Sequence, residues 1–153
     1  MMEILCLKEA DAKEVCAWRY NEPYQIYNLP VWEEVVSNNW SIADEERRTR
    51  EYRKIVDENG IFLGFFRYKM QDDKIILGLG LNPNYCGKKL GSKFIQKILD
   101  YLKVYNCLIE LEVRSFNVRA IKCYEKVGFK IIDKSYKKTL NGEDEFVVMQ
   151  INL

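Results

Sequence analysis

Apolar and polar positions along this chain fall into two kinds of block. Short, largely apolar runs rich in β-branched and aromatic residues mark strands. They occur at Glu3 to Leu7, Tyr52 to Val56, Ile61 to Lys69, Lys74 to Leu81 and Leu108 to Val113, the last with Glu110, Glu112 and Arg114 on one face and Ile109, Leu111 and Val113 on the other. Helical spacing marks Ala10 to Trp18, Val31 to Asn39, Ala43 to Arg50, Leu90 to about Tyr105, and Val118 to Lys126. In the first helix Val15 and Trp18 share a face, and in the fourth Leu90, Phe94, Ile98 and Tyr101 form a stripe widened by Ile95, Leu99 and Leu102. The segment Ala43 to Arg50 is so strongly charged that it is expected to lie exposed.

Turn residues join these blocks. Asp57-Glu58-Asn59-Gly60 links two strands and Gln71-Asp72-Asp73 leads into the next, giving an antiparallel meander. The strand Leu108 to Val113 follows a crossover helix and so must run parallel to Lys74 to Leu81, making a βαβ unit. Asn117 suits the N-cap of the helix after it, and Gly128 suits the position that ends it. Phe129 to Lys137 and Glu145 to Ile151 then form a hairpin around Asn141-Gly142.

Composition adds limits. The 153 residues suit one domain around a single core, and 48% hydrophobic with 31% charged residues describes an ordinary soluble globular protein. A formal charge of +1 gives no reason to expect nucleic acid or an anionic membrane as partner. The start Met1 to Cys6 lacks a basic region followed by a long apolar run, and no stretch reaches membrane-spanning length, so a cytoplasmic location is expected. Five scattered cysteines make no zinc or redox pair, and no metal is expected. Cys6, Cys16, Cys107 and Cys123 lie in apolar patterns and read as small core residues. Cys86, beside Lys88 near a helix start, is either a reactive thiol or a passive loop residue. With no histidine, Ser-His-Asp, Cys-His and HExxH chemistry is excluded, leaving a carboxylate, tyrosine, lysine or water as general base.

The richest stretch is Leu79-Gly80-Leu81-Asn82-Pro83-Asn84-Tyr85-Cys86-Gly87-Lys88-Lys89-Leu90-Gly91-Ser92, a strand, a glycine-flanked basic loop and a helix start. Converging backbone N–H groups and the positive end of the helix make an anion site suited to phosphate or pyrophosphate, with Lys88, Lys89 and Lys93 raising the local potential. The spacing is not that of a nucleoside-triphosphate P-loop.

Together with Asn117-Val118-Arg119-Ala120-Ile121-Lys122-Cys123-Tyr124-Glu125-Lys126-Val127-Gly128-Phe129, this loop resembles the GNAT superfamily of N-acetyltransferases. Their acetyl-CoA loop reads Gln/Arg-x-x-Gly-x-Gly/Ala, and their next helix reads Asn-x-x-Ala-x-x-x-Tyr-x-x-x-Gly-Phe. The helix match is complete. In the loop, Gly87 and Gly91 match while Cys86 and Lys89 depart, which removes one side-chain donor and one position without a Cβ. The resemblance implies an α/β (α+β) fold: a mixed, mostly antiparallel central sheet with helices on both faces, one parallel crossover and a C-terminal hairpin.

It also implies roles. Leu79, Gly80 and Leu81 would pair with the pantetheine arm of acetyl-CoA, and Cys86, Gly87, Lys88, Lys89, Leu90, Gly91 and Ser92 would hold its pyrophosphate, with a Cβ at Gly91 expected to crowd the phosphates. Asn117 and Ala120 would approach the pantetheine, and Tyr124 would protonate the departing thiolate. The spacing of Glu112 to Tyr124 resembles that in the ribosomal-protein alanine acetyltransferases, where the glutamate is assigned as general base through water; a plain ion pair on an alternating strand is the other reading. Tyr20, Tyr24 and Tyr27 would form one wall for the amine acceptor, or pack in the core. The implied activity is acetyl transfer from acetyl-CoA to a primary amine of a small molecule or peptide in a ternary complex. A catalytically silent CoA-binding sensor is the alternative, and self-association as a homodimer is left open.

Overall fold

The structure is a computed structural model and describes residues 1–139 and 142–153. Its elements follow the predicted order and fall into two compact units, each assembled from two stretches of chain.

The first unit comprises Met1–Arg67 and Leu79–Cys86. It holds strand β1 (Met2–Cys6), helices α1 (Glu9–Ala17), α2 (Trp32–Ser37) and α3 (Glu45–Glu51), strand β2 (Tyr52–Asp57) and most of β3 (Phe62–Gln71). β1 and β3 both pair antiparallel with β2. The Asp57 carboxylate accepts from the N–H groups of Asn59 and Ile61, and Gly60 takes φ +79°, so this turn closes on itself. Leu7, Ala12, Val15, Trp18, Ile42 and Tyr52 form the core, with Trp32, Phe62 and Phe65 against them. The Trp18 ring lies 5.1 Å from that of Phe62, so the end of α1 is anchored by aromatic area.

Helix α3 is exposed, as its charge predicts, at Glu45, Glu46, Thr49 and Arg50. Arg48 and, just beyond the predicted span, Glu51 are instead buried, at 5% and 4% exposure. Glu51 accepts from Arg67 of β3 at 2.7 and 2.8 Å and from Arg50 at 3.1 Å, while Arg48 donates to the Ile42 carbonyl at 3.0 Å. Helix charge alone suggested a solvated face, but partners from outside the helix make burial tolerable.

The second unit comprises Tyr68–Gly78 and Gly87–Leu153. It holds most of β4 (Lys74–Leu81), α4 (Gly91–Leu102), β5 (Leu108–Arg114), α5 (Val118–Lys126), β6 (Lys130–Thr139) and β7 (Gly142–Asn152). α4 is shorter than predicted because Lys103–Tyr105 tightens to a 3-10 turn, and Asn106 stops it at φ +47°. Phe94, Ile95, Ile98, Leu99 and Leu102 are its buried stripe, with Leu90 and Tyr101 half-buried. Asp72 and Asp73, at φ +51° and +65°, form the tight turn into β4.

β4 runs parallel to β5 from Lys74↔Leu108 to Ile76↔Glu110, and β7 pairs antiparallel with both β5 and β6. Strand order is β1-β2-β3 in the first unit and β4-β5-β7-β6 in the second, mixed and mostly antiparallel, with β4 and β5 as the one parallel pair among the described residues. The hairpin strands β6 and β7 are longer than predicted; the predicted turn residue Asn141 lies outside the described residues. Of the cysteines read as core, Cys16 is buried, Cys107 and Cys123 are half-buried, and Cys6 is exposed on the edge strand β1; among the described residues no cysteine forms a disulfide. Among the described residues no helix is long and apolar enough to cross a membrane.

Candidate active site

In the first unit, the end of β4 is held from several sides. A Cβ on Gly80 would lie 2.5 Å from Cε1 of Phe65, so the strand passes this ring only because residue 80 is glycine. The Tyr20 hydroxyl donates to the Leu81 carbonyl at 2.8 Å. Burial pushes the Tyr20 phenol well above its ordinary range, with Cys86 acting in the same direction, so the hydroxyl remains a donor. Asn82, which pattern reading passed over, fastens the strand end. Its N–H donates to Leu63 O at 2.8 Å and its amide to Phe62 O at 2.9 Å, while its Oδ1 accepts from Asn84 at 3.0 Å. An asparagine before Pro83 was the available signal.

The Cys86 sulfur lies 3.9 Å from the Leu81 carbonyl and 3.7 Å from that of Asn82. Tyr24 and Tyr27 begin and end a 3-10 turn, half-buried, and the Tyr20 N–H donates to Asn28 Oδ1 at 2.7 Å. The aromatic segment is thus ordered by tertiary hydrogen bonds where its sequence shows no period.

In the second unit, Gly87 and Lys89 both take left-handed backbone, at φ +75° and +60°. Lys89 holds a conformation that glycine adopts freely, at a cost of about 1 kcal/mol. α4 begins at Gly91, and its N-cap residue, Leu90, makes no side-chain cap to the first N–H groups. Those donors, with exposed Lys88 and Lys89 beside them, suit an oxyanion. Gly91 has a further reason. A Cβ there would lie 2.9 Å from the Cys123 sulfur, so glycine is required by the approach of α5, whereas only crowding of phosphates had been expected.

Helix α5 carries the second motif in the predicted geometry. Asn117 Oδ1 accepts from the Ala120 N–H at 3.2 Å, and Gly128 ends the helix at φ +114°. The Phe129 N–H donates to Tyr124 O at 3.0 Å, and the Phe129 ring meets that of Tyr124 edge-on at 5.7 Å. Tyr124 is 8% exposed. Along β5, Ile109, Leu111 and Val113 are buried while the alternate residues are ion-paired: Glu110 with Lys74 at 2.9 Å, Glu112 with Lys137 at 2.6 Å, and Arg114 with Asp144. Burial alone would raise the Glu110 carboxyl, but the Gln150 amide and Lys74 ammonium outweigh it and hold it below the usual range. Glu112 therefore has the ion pair that its alternating position allowed. Lys137, its partner from β6, is too far along the chain for pattern reading to pair.

The profile of the Acetyltransferase (GNAT) family matches residues 12–129. The chain belongs to this family. This GNAT protein is 28% identical over 83 residues to the [Ribosomal protein bS18]-alanine N-acetyltransferase of Escherichia coli K12, and 26% over the same length to that of Salmonella typhimurium. Those alignments cover 52% of this chain and 56% of the relative, so the chain spans about half the length of the curated relatives it matches. Among solved structures, the ribosomal-protein-S18-alanine N-acetyltransferase from E. coli superposes with a TM-score of 0.70 at 21% identity, covering 99% of this chain and 94% of that one. A chimera of spermidine N-acetyltransferase from Vibrio cholerae gives 0.79 at 17% identity, covering 99% and 95%. The GNAT fold is common to all of them.

Proposed function

We propose that this GNAT protein is an acetyl-CoA-dependent N-acetyltransferase that moves the acetyl group directly to a primary amine of a small molecule or peptide. The observation that carries the reading is α5, where the Asn117 cap, the buried Tyr124 and the Gly128-Phe129 ending hold the whole family motif in register. The relatives named for a ribosomal-protein alanine and for spermidine span the same range of acceptors.

In this reading, the residues that would hold acetyl-CoA are Leu79 to Leu81 through their backbone, Cys86 to Ser92 through the loop and the open α4 terminus, and Asn117 and Ala120 on α5. Acetyl-CoA, when bound, supplies the activated acetyl thioester. Tyr124 Oη donates its proton to the leaving sulfur as the amine attacks. Glu112 is engaged by Lys137 in an ion pair, which favours water or the free amine itself as the proton acceptor. Tyr20 keeps its hydroxyl on Leu81, so its contribution is to fix the strand edge, while Tyr24 and Tyr27 offer rings to the acceptor. Chain connectivity supports one acetyltransferase domain over residues 1–153, since each unit needs two separate stretches of sequence. Five cysteines with no disulfide among the described residues suit a reducing compartment such as the cytoplasm.

The test is thiol release from acetyl-CoA across a panel of amines, in parallel with CoA titration. Tyr124→Phe is expected to lower turnover by about 10²–10⁴-fold with CoA affinity nearly unchanged. CoA binding without turnover on any amine would instead favour the silent sensor, a reading kept in play by the two loop departures Cys86 and Lys89.

A further inference from the structure

The loop keeps the last glycine of the family pattern, Gly91, but lacks its side-chain donor, since Cys86 stands where the pattern has glutamine or arginine. The sulfur of Cys86 lies against the carbonyls of Leu81 and Asn82, at 3.9 and 3.7 Å. A guanidinium from another element stands beside the same loop. Arg119 follows Val118 at the start of α5, and its Nη1 lies 3.8 Å from the place a Cβ on Gly87 would occupy. Gly87 has no such atom, so its left-handed backbone is open on the side where the guanidinium lies.

The position of Arg119 is set by packing as well as by its own flexible stem. The Asn117 cap fixes the first turn of α5 through the Ala120 N–H, and the approach of Cys123 to Gly91 sets α5 against the start of α4. The loop lysines differ in kind. Lys88, Lys89 and Lys93 are exposed point charges that raise potential without directing it, whereas a guanidinium presents a planar fork that matches two phosphate oxygens.

We infer that Arg119 supplies the phosphate-binding side chain that the loop gives up at Cys86, and that it reads the pyrophosphate of the CoA moiety. This rests on the acetyl-CoA reading above. The pyrophosphate is favoured over the ribose 3′-phosphate because the guanidinium lies at Gly87, in the same loop whose backbone leads to the uncapped α4 terminus.

Calorimetric titration without any acceptor amine tests it, using CoA, dephospho-CoA, which keeps the pyrophosphate but lacks the 3′-phosphate, and pantetheine, which has neither. Arg119→Gln should weaken CoA and dephospho-CoA by the same factor, about tenfold, and leave pantetheine unchanged. Arg119→Lys should recover only part of the loss. Equal CoA affinity in wild type and Arg119→Gln overturns the inference while leaving the proposed function standing. A loss confined to CoA, with dephospho-CoA unaffected, overturns the pyrophosphate assignment. A wild-type protein that binds no CoA overturns both this inference and the proposed function. Should Arg119→Gln lower the melting temperature of the free protein, Arg119→Lys carries the comparison, and a loss for phosphate-bearing ligands that spares pantetheine supports the assignment.

Discussion

Each of the two units of this GNAT protein shows a different balance of local and distant contacts. In the second, the motif helix α5 rests on local ones, a cap three residues from its acceptor and a glycine that ends it, with distant pairs such as Glu112–Lys137 added on the neighbouring strand. In the first, the decisive contacts come from far along the chain. Glu51 is paired by Arg67 sixteen residues on, and Tyr20 reaches Leu81 sixty-one residues on. The lesson is that family motifs gather where local rules suffice, while the first unit is specified by buried polar contacts that become visible only once the chain has folded.

The largest break in that contrast should come at Glu51. Removing one member of a buried ion pair strands the other, and Glu51→Gln is expected to cost about 2 kcal/mol, less than for a fully buried pair because water reaches Arg67. Burial by itself would raise the Glu51 carboxyl, but Arg67 and Arg50 outweigh it and hold it below its ordinary value. A carboxyl lowered by folding contributes stability that is complete above the unfolded value of about 4.3 and is lost as pH falls through the folded one. Chemical denaturation from neutral pH to about pH 3 should therefore show the wild-type advantage over Glu51→Gln shrinking in acid. A pH-independent gap would mean that packing, not charge, holds α3.

A smaller effect is expected at Tyr20. Replacing its phenol by phenylalanine leaves the Leu81 carbonyl without this donor and should lower stability by about 1 kcal/mol. Urea denaturation measures it, and an unchanged midpoint would show that the long-range tether is dispensable and that Asn82 alone secures the strand end. The smallest effect belongs to the second unit, where Lys89→Gly relieves a left-handed lysine at φ +60°. After the added flexibility of the unfolded glycine is subtracted, a gain of about 0.5 kcal/mol remains, or roughly 1–2 °C in Tm. Lys89→Ala, which keeps a Cβ at the same backbone angle, should show no such gain.

Legibility followed the range of the interactions. Strand β4 is legible at its observed bounds, the βαβ crossover and the α5 caps in their observed roles, and the glycine-flanked basic loop as a turn entering a helix, because each is written in neighbouring residues. Helix α4 was drawn too long, since its final turn tightens to 3-10 geometry without a proline or glycine to announce it. The exposure of most of α3 is legible in its charge, but not the burial of Arg48 and Glu51, which depends on the Ile42 carbonyl and on Arg67. Asn82 and Arg119 went unread because the first looks like a plain turn residue and the second like a solvated helix charge.

The sequence by itself determined the family, the order of elements and the register of α5, because periodicity, caps and glycine positions act within a few residues and need no partner. Only the tertiary structure decided that Gly91 serves the approach of Cys123, that Glu112 is paired with Lys137, and that Tyr20 fastens Leu81. The physical reason is common to all three. A side chain's partner across the fold depends on distances and exclusion of water that arise only when separate segments pack, and no local pattern encodes them.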